Sequence, residues 1–157
     1  FHINIGSDHE PDQLTRLSDV IETAHRLGVP VLAMSYARGP GVDEHDAESL
    51  AHAVRIAEEL GADVVKTAYS GDPASFERVC AATRLPVVIA GGSRGTDRET
   101  AEMVRGAMDA GAAGVSMGRS IFQHDDPGAI TRAVSAIIHD DDAAADAVDA
   151  AGLAVEA

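Results

Sequence analysis

Five short runs rich in β-branched residues, FHINIG (1–6), VPVLAMSYA (29–37), ADVVKT (62–67), LPVVIAGG (85–92) and AAGVSMG (112–118), alternate with longer segments of helical period. That alternation constrains the fold more than any other feature, because βαβα order with right-handed crossovers builds a parallel sheet. Each run reads as a strand buried on both faces. Leu14, Leu17, Val20, Ile21, Ala24 and Leu27 make one apolar stripe, which Gly28 and Pro30 stop. A second helix runs from about Asp46 to Leu60, with Leu50, Ala53, Val54 and Ala57 facing inward and Gly61 at its end. Asp72-Pro73 and Asp126-Pro127 each place a capping carboxylate before a proline at the first helical position, opening a third helix and the segment PGAITRAVSAIIH. Another helix, about Arg98 to Ala110, follows Thr96-Asp97 and stops at Gly111.

Two α/β architectures suit this order. One is a complete open sheet of five strands with helices on both faces. The other is the last five βα units of a (β/α)8 TIM barrel, whose usual size of about 250 residues leaves roughly 90 residues at the front. Residue 1 falls inside a strand with no initiator methionine, so the chain reads as cut, which favours the barrel. Residues 1–139 are then its C-terminal portion. Residues 140–157, DDAAADAVDAAGLAVEA after Asp140, read as an acidic Ala/Asp-rich tail, either mobile or a weak terminal helix.

The chain has 157 residues, of which 26 are acidic and 12 basic, for a formal charge of -14. Eleven of the basic residues are arginine, and Lys66 is the only lysine. Such self-repulsion is relieved by salt. Lysine depletion with abundant acids is the pattern of a salt-adapted organism, and a merely acidic protein is the alternative. With no basic stripe, nucleic acid and anionic membrane surfaces are excluded as partners. Cys80 has no possible intrachain disulfide partner and reads as a small buried hydrophobe in a reducing cytoplasm. No apolar run reaches transmembrane length and the start lacks signal-peptide character, so a cytoplasmic protein is expected.

In parallel αβ folds functional residues gather at the carboxyl ends of the strands. That rule selects Asn4, Gly6 and Ser7; Tyr36 and Arg38; Lys66 and Thr67; Gly91 and Gly92; Gly118 and Arg119. An ammonium in an apolar strand is costly to bury unless paired or deprotonated, so the Lys66 pKa should be depressed. A neutral amine attacks ketones, giving a carbinolamine and then an iminium that withdraws electrons from the adjacent carbon. The competing reading is a lysine that snorkels to solvent or pairs with Asp63 or Asp72. In a chain that retains one lysine, the catalytic reading stands first.

Tyr36 ends the preceding strand, where its phenol can sit beside the amine and move protons. Arg38, in YARGPG, either orients a phosphate or carboxylate or pairs with a nearby acid. AGGSRGTDRE and SMGRSIF place Gly91, Gly92 and Gly118 on consecutive strand ends. Backbone N–H groups there can approach an anion, and Arg119 can supply a guanidinium fork; tight turns alone are the competing reading. The histidines at 2, 9, 25, 45, 52, 124 and 139 have no paired metal-ligand spacing, and FQHDDP reads as a helix cap. No metal or other cofactor is expected. Neither a GxGxxG turn nor a GxxxxGK[ST] loop is present.

Together, VLAMSYARG, GADVVKTAYSGDP, PVVIAGG and AGAAGVSMGRSIFQHDDP resemble the archaeal-type class I aldolases, the family holding fructose-bisphosphate aldolase and 2-amino-3,7-dideoxy-D-threo-hept-6-ulosonate synthase. The resemblance runs from residue 1 to about residue 139. It implies a (β/α)8 barrel with Lys66 as the Schiff-base residue, Tyr36 as acid/base, and Gly91, Gly92, Gly118 and Arg119 around a substrate phosphate. It also implies a phosphorylated keto-sugar and an aldehyde as substrates, and a homo-oligomer at full length. A further catalytic aspartate of the family belongs to its first strand and has no counterpart in these 157 residues. Met34 stands where the fructose-bisphosphate aldolases carry tryptophan, and so resembles the heptulosonate synthase branch. That branch implies transaldol chemistry with aspartate semialdehyde in aromatic amino-acid biosynthesis; cleavage of fructose 1,6-bisphosphate, and a phosphate-binding fragment without catalysis, are the alternatives.

Overall fold

A computed structural model describes residues 1–92 and 95–153. The elements follow one another as β1 (His2–Ile5), α1 (Glu10–Arg26), β2 (Leu32–Ala37), α2 (Ala47–Glu59), β3 (Val64–Thr67), α3 (Pro73–Ala81), β4 (Val87–Ala90), α4 (Asp97–Asp109), β5 (Gly114–Ser116), α5 (Arg119–Phe122), α6 (Pro127–His139) and α7 (Ala144–Ala151). Ser93 and Arg94 of the AGGSRGTDRE stretch, and residues 154–157 of the tail, lie outside the described residues.

The helix starts are chemically specified. Asp46, Asp72 and Asp126 accept backbone N–H bonds from Ser49, Ser75 and Ala129 at 2.8, 2.9 and 2.9 Å. Thr96 and Glu99 close a reciprocal capping box on α4. Each satisfies amide donors that a helix start leaves open.

All four strand pairings are parallel and the sheet order is β1-β2-β3-β4-β5. A strand always joins the neighbour that precedes it in sequence, so every right-handed crossover returns on the same side of the sheet. Helices on both faces need a reversal of strand order, and there is none. The open five-stranded alternative is therefore set aside in favour of the singly wound arrangement of a (β/α)8 barrel.

This winding also corrects the expectation of strands buried on both faces. Ile3, Ile5, Ala33, Ala37, Val65, Val87 and Ile89 are buried among helix residues such as Leu17, Leu50, Val54, Phe76 and Val79. The alternate residues Asn4, Met34, Lys66, Val88, Ala90 and Ser116 are only partly covered. One face is packed by helices and the other borders a cavity, so burial alternates along β1, β3 and β4, whereas Ser35, Tyr36 and Ala37 at the end of β2 are all buried.

Two members of the anticipated α1 stripe also differ. Leu17 and Ile21 are buried, whereas Val20 is 39% and Leu27 74% exposed. The helix touches the sheet along a narrower arc than its apolar pattern spans, and Leu27 falls past its last turn. Beyond residue 140 the tail holds α7, which buries Ala147 and Val148 against Ala101, Val104, Val134 and Ile137 of α4 and α6. Arg105 fastens the approach, donating to Asp109 and Asp141 and to the Asp142 carbonyl.

Candidate active site

Lys66 is the third residue of β3, and its Cα is registered against Met34 on β2 and Val88 on β4. Its neighbours Val65 and Thr67 turn toward the helices and are fully buried, so strand alternation points the lysine into the cavity. Both carboxylates that sequence proximity offered as partners are engaged elsewhere. Asp63 accepts from the Val31 N–H at 2.7 Å and from His25 at 2.9 Å, and Asp72 caps α3. Burial lowers the Lys66 pKa, and no charge partner among the described residues offsets it.

Tyr36 stands two residues beyond Met34 on the same face and is only 9% exposed. The His2 ring packs edge-on against it at 5.3 Å, and the Arg38 guanidinium carbon lies 4.5 Å from its ring centroid. Burial pushes the phenol above its ordinary pKa, and the Arg38 charge pulls in the opposite direction. Arg38 itself pairs with Glu44 at 3.0 Å.

A cavity of about 1200 Å³ collects these groups. Its lining includes Met34, Tyr36, Arg38 and Lys66 together with Gly91, Gly92, Gly118 and Arg119. All eight candidate positions therefore meet in one space. The other strand-end residues do not: Asn4 lies within β1, where its N–H donates to Gln13, Gly6 and Ser7 are held in the turn that follows, and Thr67 faces the helix side. Among the described residues the Thr67 hydroxyl has no hydrogen-bond partner.

The glycine turns are joined by a residue that sequence reading did not single out. The buried Ser120 hydroxyl, on α5, donates to the Gly91 carbonyl at 3.3 Å. A Cβ on Gly91 would lie 2.9 Å from that hydroxyl, and one on Gly118 would lie 3.1 Å from the Phe122 ring. Gly92 adopts φ +60°, a left-handed conformation that favours glycine. Arg119 is exposed and makes no ion pair among the described residues.

Two loops complete the wall opposite. The His45 Nδ1–H donates to the Tyr69 carbonyl at 2.8 Å, tying the loop after β2 to the loop after β3. Tyr69 packs edge-on against Phe76 at 5.1 Å, and burial raises its phenol pKa. Neither residue carries a local motif, since their pairing spans 24 positions. In FQHDDP, His124 accepts from the Asp126 N–H through Nδ1 and donates to Asp97 through Nε2 at 2.8 Å, while Asp126 caps α6. No group of three or more His, Cys, Asp or Glu among the described residues is arranged to hold a metal ion. No described helix is long and apolar enough to cross a membrane. The Cys80 thiol is half-buried, which pushes its pKa up to about 11.

Comparison with known proteins gives this geometry a context. The chain is 66% identical over all 157 residues to a 2-amino-3,7-dideoxy-D-threo-hept-6-ulosonate synthase of Halobacterium salinarum, covering 59% of that protein. It is 45% identical over 140 residues, or 88% of its length, to a 2-amino-4,5-dihydroxy-6-oxo-7-(phosphonooxy)heptanoate synthase of Streptomyces griseus, covering 51% of it. The chain thus spans between half and three-fifths of these relatives. Among solved structures, an archaeal fructose-1,6-bisphosphate aldolase whose catalytic Lys is covalently bound to the carbinolamine intermediate superposes with a TM-score of 0.83 at 33% identity. That superposition covers 87% of this chain and 56% of the other. The family model of the DeoC/LacD aldolases matches residues 1–124, and the chain belongs to that family.

Proposed function

We propose that the protein containing this chain is a Schiff-base-forming class I aldolase or transaldolase, and that it makes 2-amino-3,7-dideoxy-D-threo-hept-6-ulosonate in aromatic amino-acid biosynthesis. The observation that carries this reading is the partly buried Lys66 amine, without a carboxylate partner among the described residues, in the same cavity as Tyr36 and the paired glycine turns. The heptulosonate synthase at 66% identity and the presence of Met34 beside Lys66 favour this product over fructose 1,6-bisphosphate.

In this reading the neutral amine of Lys66 attacks the ketone carbon of a phosphorylated keto-sugar. The carbinolamine that forms loses water to give the iminium. Loss of the β-hydroxyl proton and cleavage of the bond between the α- and β-carbons release an aldehyde and leave the enamine, because the iminium accepts the electron pair. The enamine carbon then attacks aspartate semialdehyde, and water returns Lys66 to the free amine. Tyr36 moves the proton at the carbinolamine and at the reacting hydroxyl. Gly91, Gly92 and Gly118 offer backbone N–H groups, and Arg119 its guanidinium, to the substrate phosphate. The full-length protein would act in the cytoplasm as a homo-oligomer.

Borohydride reduction of the full-length protein with a keto-sugar phosphate tests the reading. A covalent mass gain at Lys66, lost in Lys66→Met, is expected. Stabilisation by phosphate with no trapped adduct would instead identify a binding protein. Consumption of aspartate semialdehyde, as against triose phosphate release from fructose 1,6-bisphosphate, decides the substrate.

A further inference from the structure

The cavity carries an arginine at each end. Arg119, beside the glycine turns on the β5 side, suits a phosphate. Across the sheet, three strand spacings of about 4.8 Å away, Arg38 and Glu44 form the opposite wall. Their ion pair joins Nε to Oε2 at 3.0 Å and leaves the side chains 44% and 50% exposed. Among the described residues, neither terminal guanidinium nitrogen of Arg38 and no hydrogen bond to Oε1 of Glu44 is otherwise engaged. An exposed ion pair of this kind contributes little to stability. Its place beside the Tyr36 ring, on the cavity wall, calls for another account.

The paired groups present two donors and one acceptor side by side. That pattern complements a carbon bearing both a carboxylate and an ammonium: the carboxylate accepts from the guanidinium fork, and the ammonium donates to Glu44. The two heptulosonate-type products named above share such an end, with a carboxylate at C1 and an amine at C2, and a ketone at C6. With the iminium at C6, the bond made is C4–C5, so the incoming aldehyde comprises C1 to C4 and carries the amino-acid group away from the reacting carbon.

We infer that Arg38 and Glu44 form the subsite for the α-amino-acid end of the aldehyde acceptor and set acceptor selectivity. This rests on the proposal that Lys66 forms the Schiff base, and Tyr36, between amine and subsite, is positioned to serve the aldehyde oxygen. Arg38 is held for that task by its stacking on Tyr36, and Glu44 by its pairing with Arg38.

The test uses the full-length protein and three acceptors: L-aspartate semialdehyde, succinate semialdehyde, which lacks the amine, and 3-aminopropanal, which lacks the carboxylate. Glu44→Gln should lower kcat/KM for L-aspartate semialdehyde by roughly ten-fold or more while barely changing succinate semialdehyde. Arg38→Met also removes a charge beside Tyr36, an effect common to all three acceptors, so it should lower kcat/KM for L-aspartate semialdehyde roughly ten-fold more than for 3-aminopropanal. Both variants should still trap a keto-sugar phosphate on Lys66 under borohydride. Each comparison is a ratio between acceptors on one sample, so a reduced folded fraction cancels. Equal slowing of all three acceptors in either variant overturns the subsite. Failure of the unsubstituted protein to trap donor overturns the underlying aldolase reading instead.

Discussion

Gly91→Ala tests whether the two glycine turns are built as one unit. An ideal Cβ at residue 91 sits 2.9 Å from the Ser120 hydroxyl and 3.2 Å from the Met117 Cγ, closer than ordinary van der Waals contact. Ser120 is only 9% exposed and cannot swing freely away. Overpacking of this kind costs about 1–3 kcal/mol. Displacing the hydroxyl also breaks its bond to the Gly91 carbonyl, which at 3.3 Å is long and contributes at the lower end of the range, about 0.5 kcal/mol. Ser120→Ala alone loses only that bond. In the double variant the hydroxyl that the new methyl would strike is gone, so part of the Gly91→Ala cost disappears, with a coupling of about 1 kcal/mol. Urea unfolding of the four full-length forms, at fixed high salt, measures this cycle. Inorganic phosphate should raise the midpoint of the unsubstituted protein more than that of Gly91→Ala. Additivity of the two single effects within about 0.3 kcal/mol would show that the turns are independent, and would refute their joint role as an anion cradle.

Lys66→Met should abolish borohydride trapping and yet raise the unfolding midpoint, because an unpaired, desolvated ammonium is replaced by an apolar chain of similar length. The same residue sets a pH dependence. Its folded pKa lies below the ordinary 10.5, so between the two values the unfolded chain binds more protons and stability rises with pH. Denaturation series through the alkaline range should show that slope in the unsubstituted protein and its loss in Lys66→Met. At the acid end, Glu58 is held down to about 2 by hydrogen bonds from the Arg84 and Thr83 side chains and the Arg84 N–H. Its stabilising effect is complete above pH 4.5 and is lost as pH falls toward 2, so Glu58→Gln should flatten that part of the acid-unfolding curve.

The parts of this fold that were legible in the sequence are those decided within a few residues. Asp-Pro pairs opened α3 and α6 as expected, because a capping carboxylate and a preset φ act locally. The strand and helix order followed from apolar periodicity. Lys66 stood out by charge in an apolar run, and the glycines by their place at strand ends. What escaped notice depends on distant pairings. Val20 and Leu27 carry the period of a buried stripe, but only the packed sheet determines how wide an arc of α1 is covered. The four-residue α5 is too short to show a period, and its Ser120 gains meaning only from a carbonyl 29 positions away. Glu44 looked like one acid among many until the turn after β2 brought it to Arg38.

The winding of the sheet explains why a lone lysine can be singled out at all. Because every crossover returns to the same side, residues of one parity across β1 to β4 pack under helices, and His2, Met34, Tyr36, Lys66 and Ala90 of the other parity line the cavity. Val65 and Ile89 are wholly buried on the helix side, which pins the register of β3 and β4. A slip of one residue in β3 would drive the ammonium into the helix-packed core and turn Val65 outward, losing the burial of a full valine side chain and stranding a charge. The register that keeps the core dry is thus the same one that sets Lys66 level with Met34 and one step below Tyr36. Core packing alone therefore specifies the relative positions of amine and phenol, and the loops need only supply the groups that grip the two ends of a substrate.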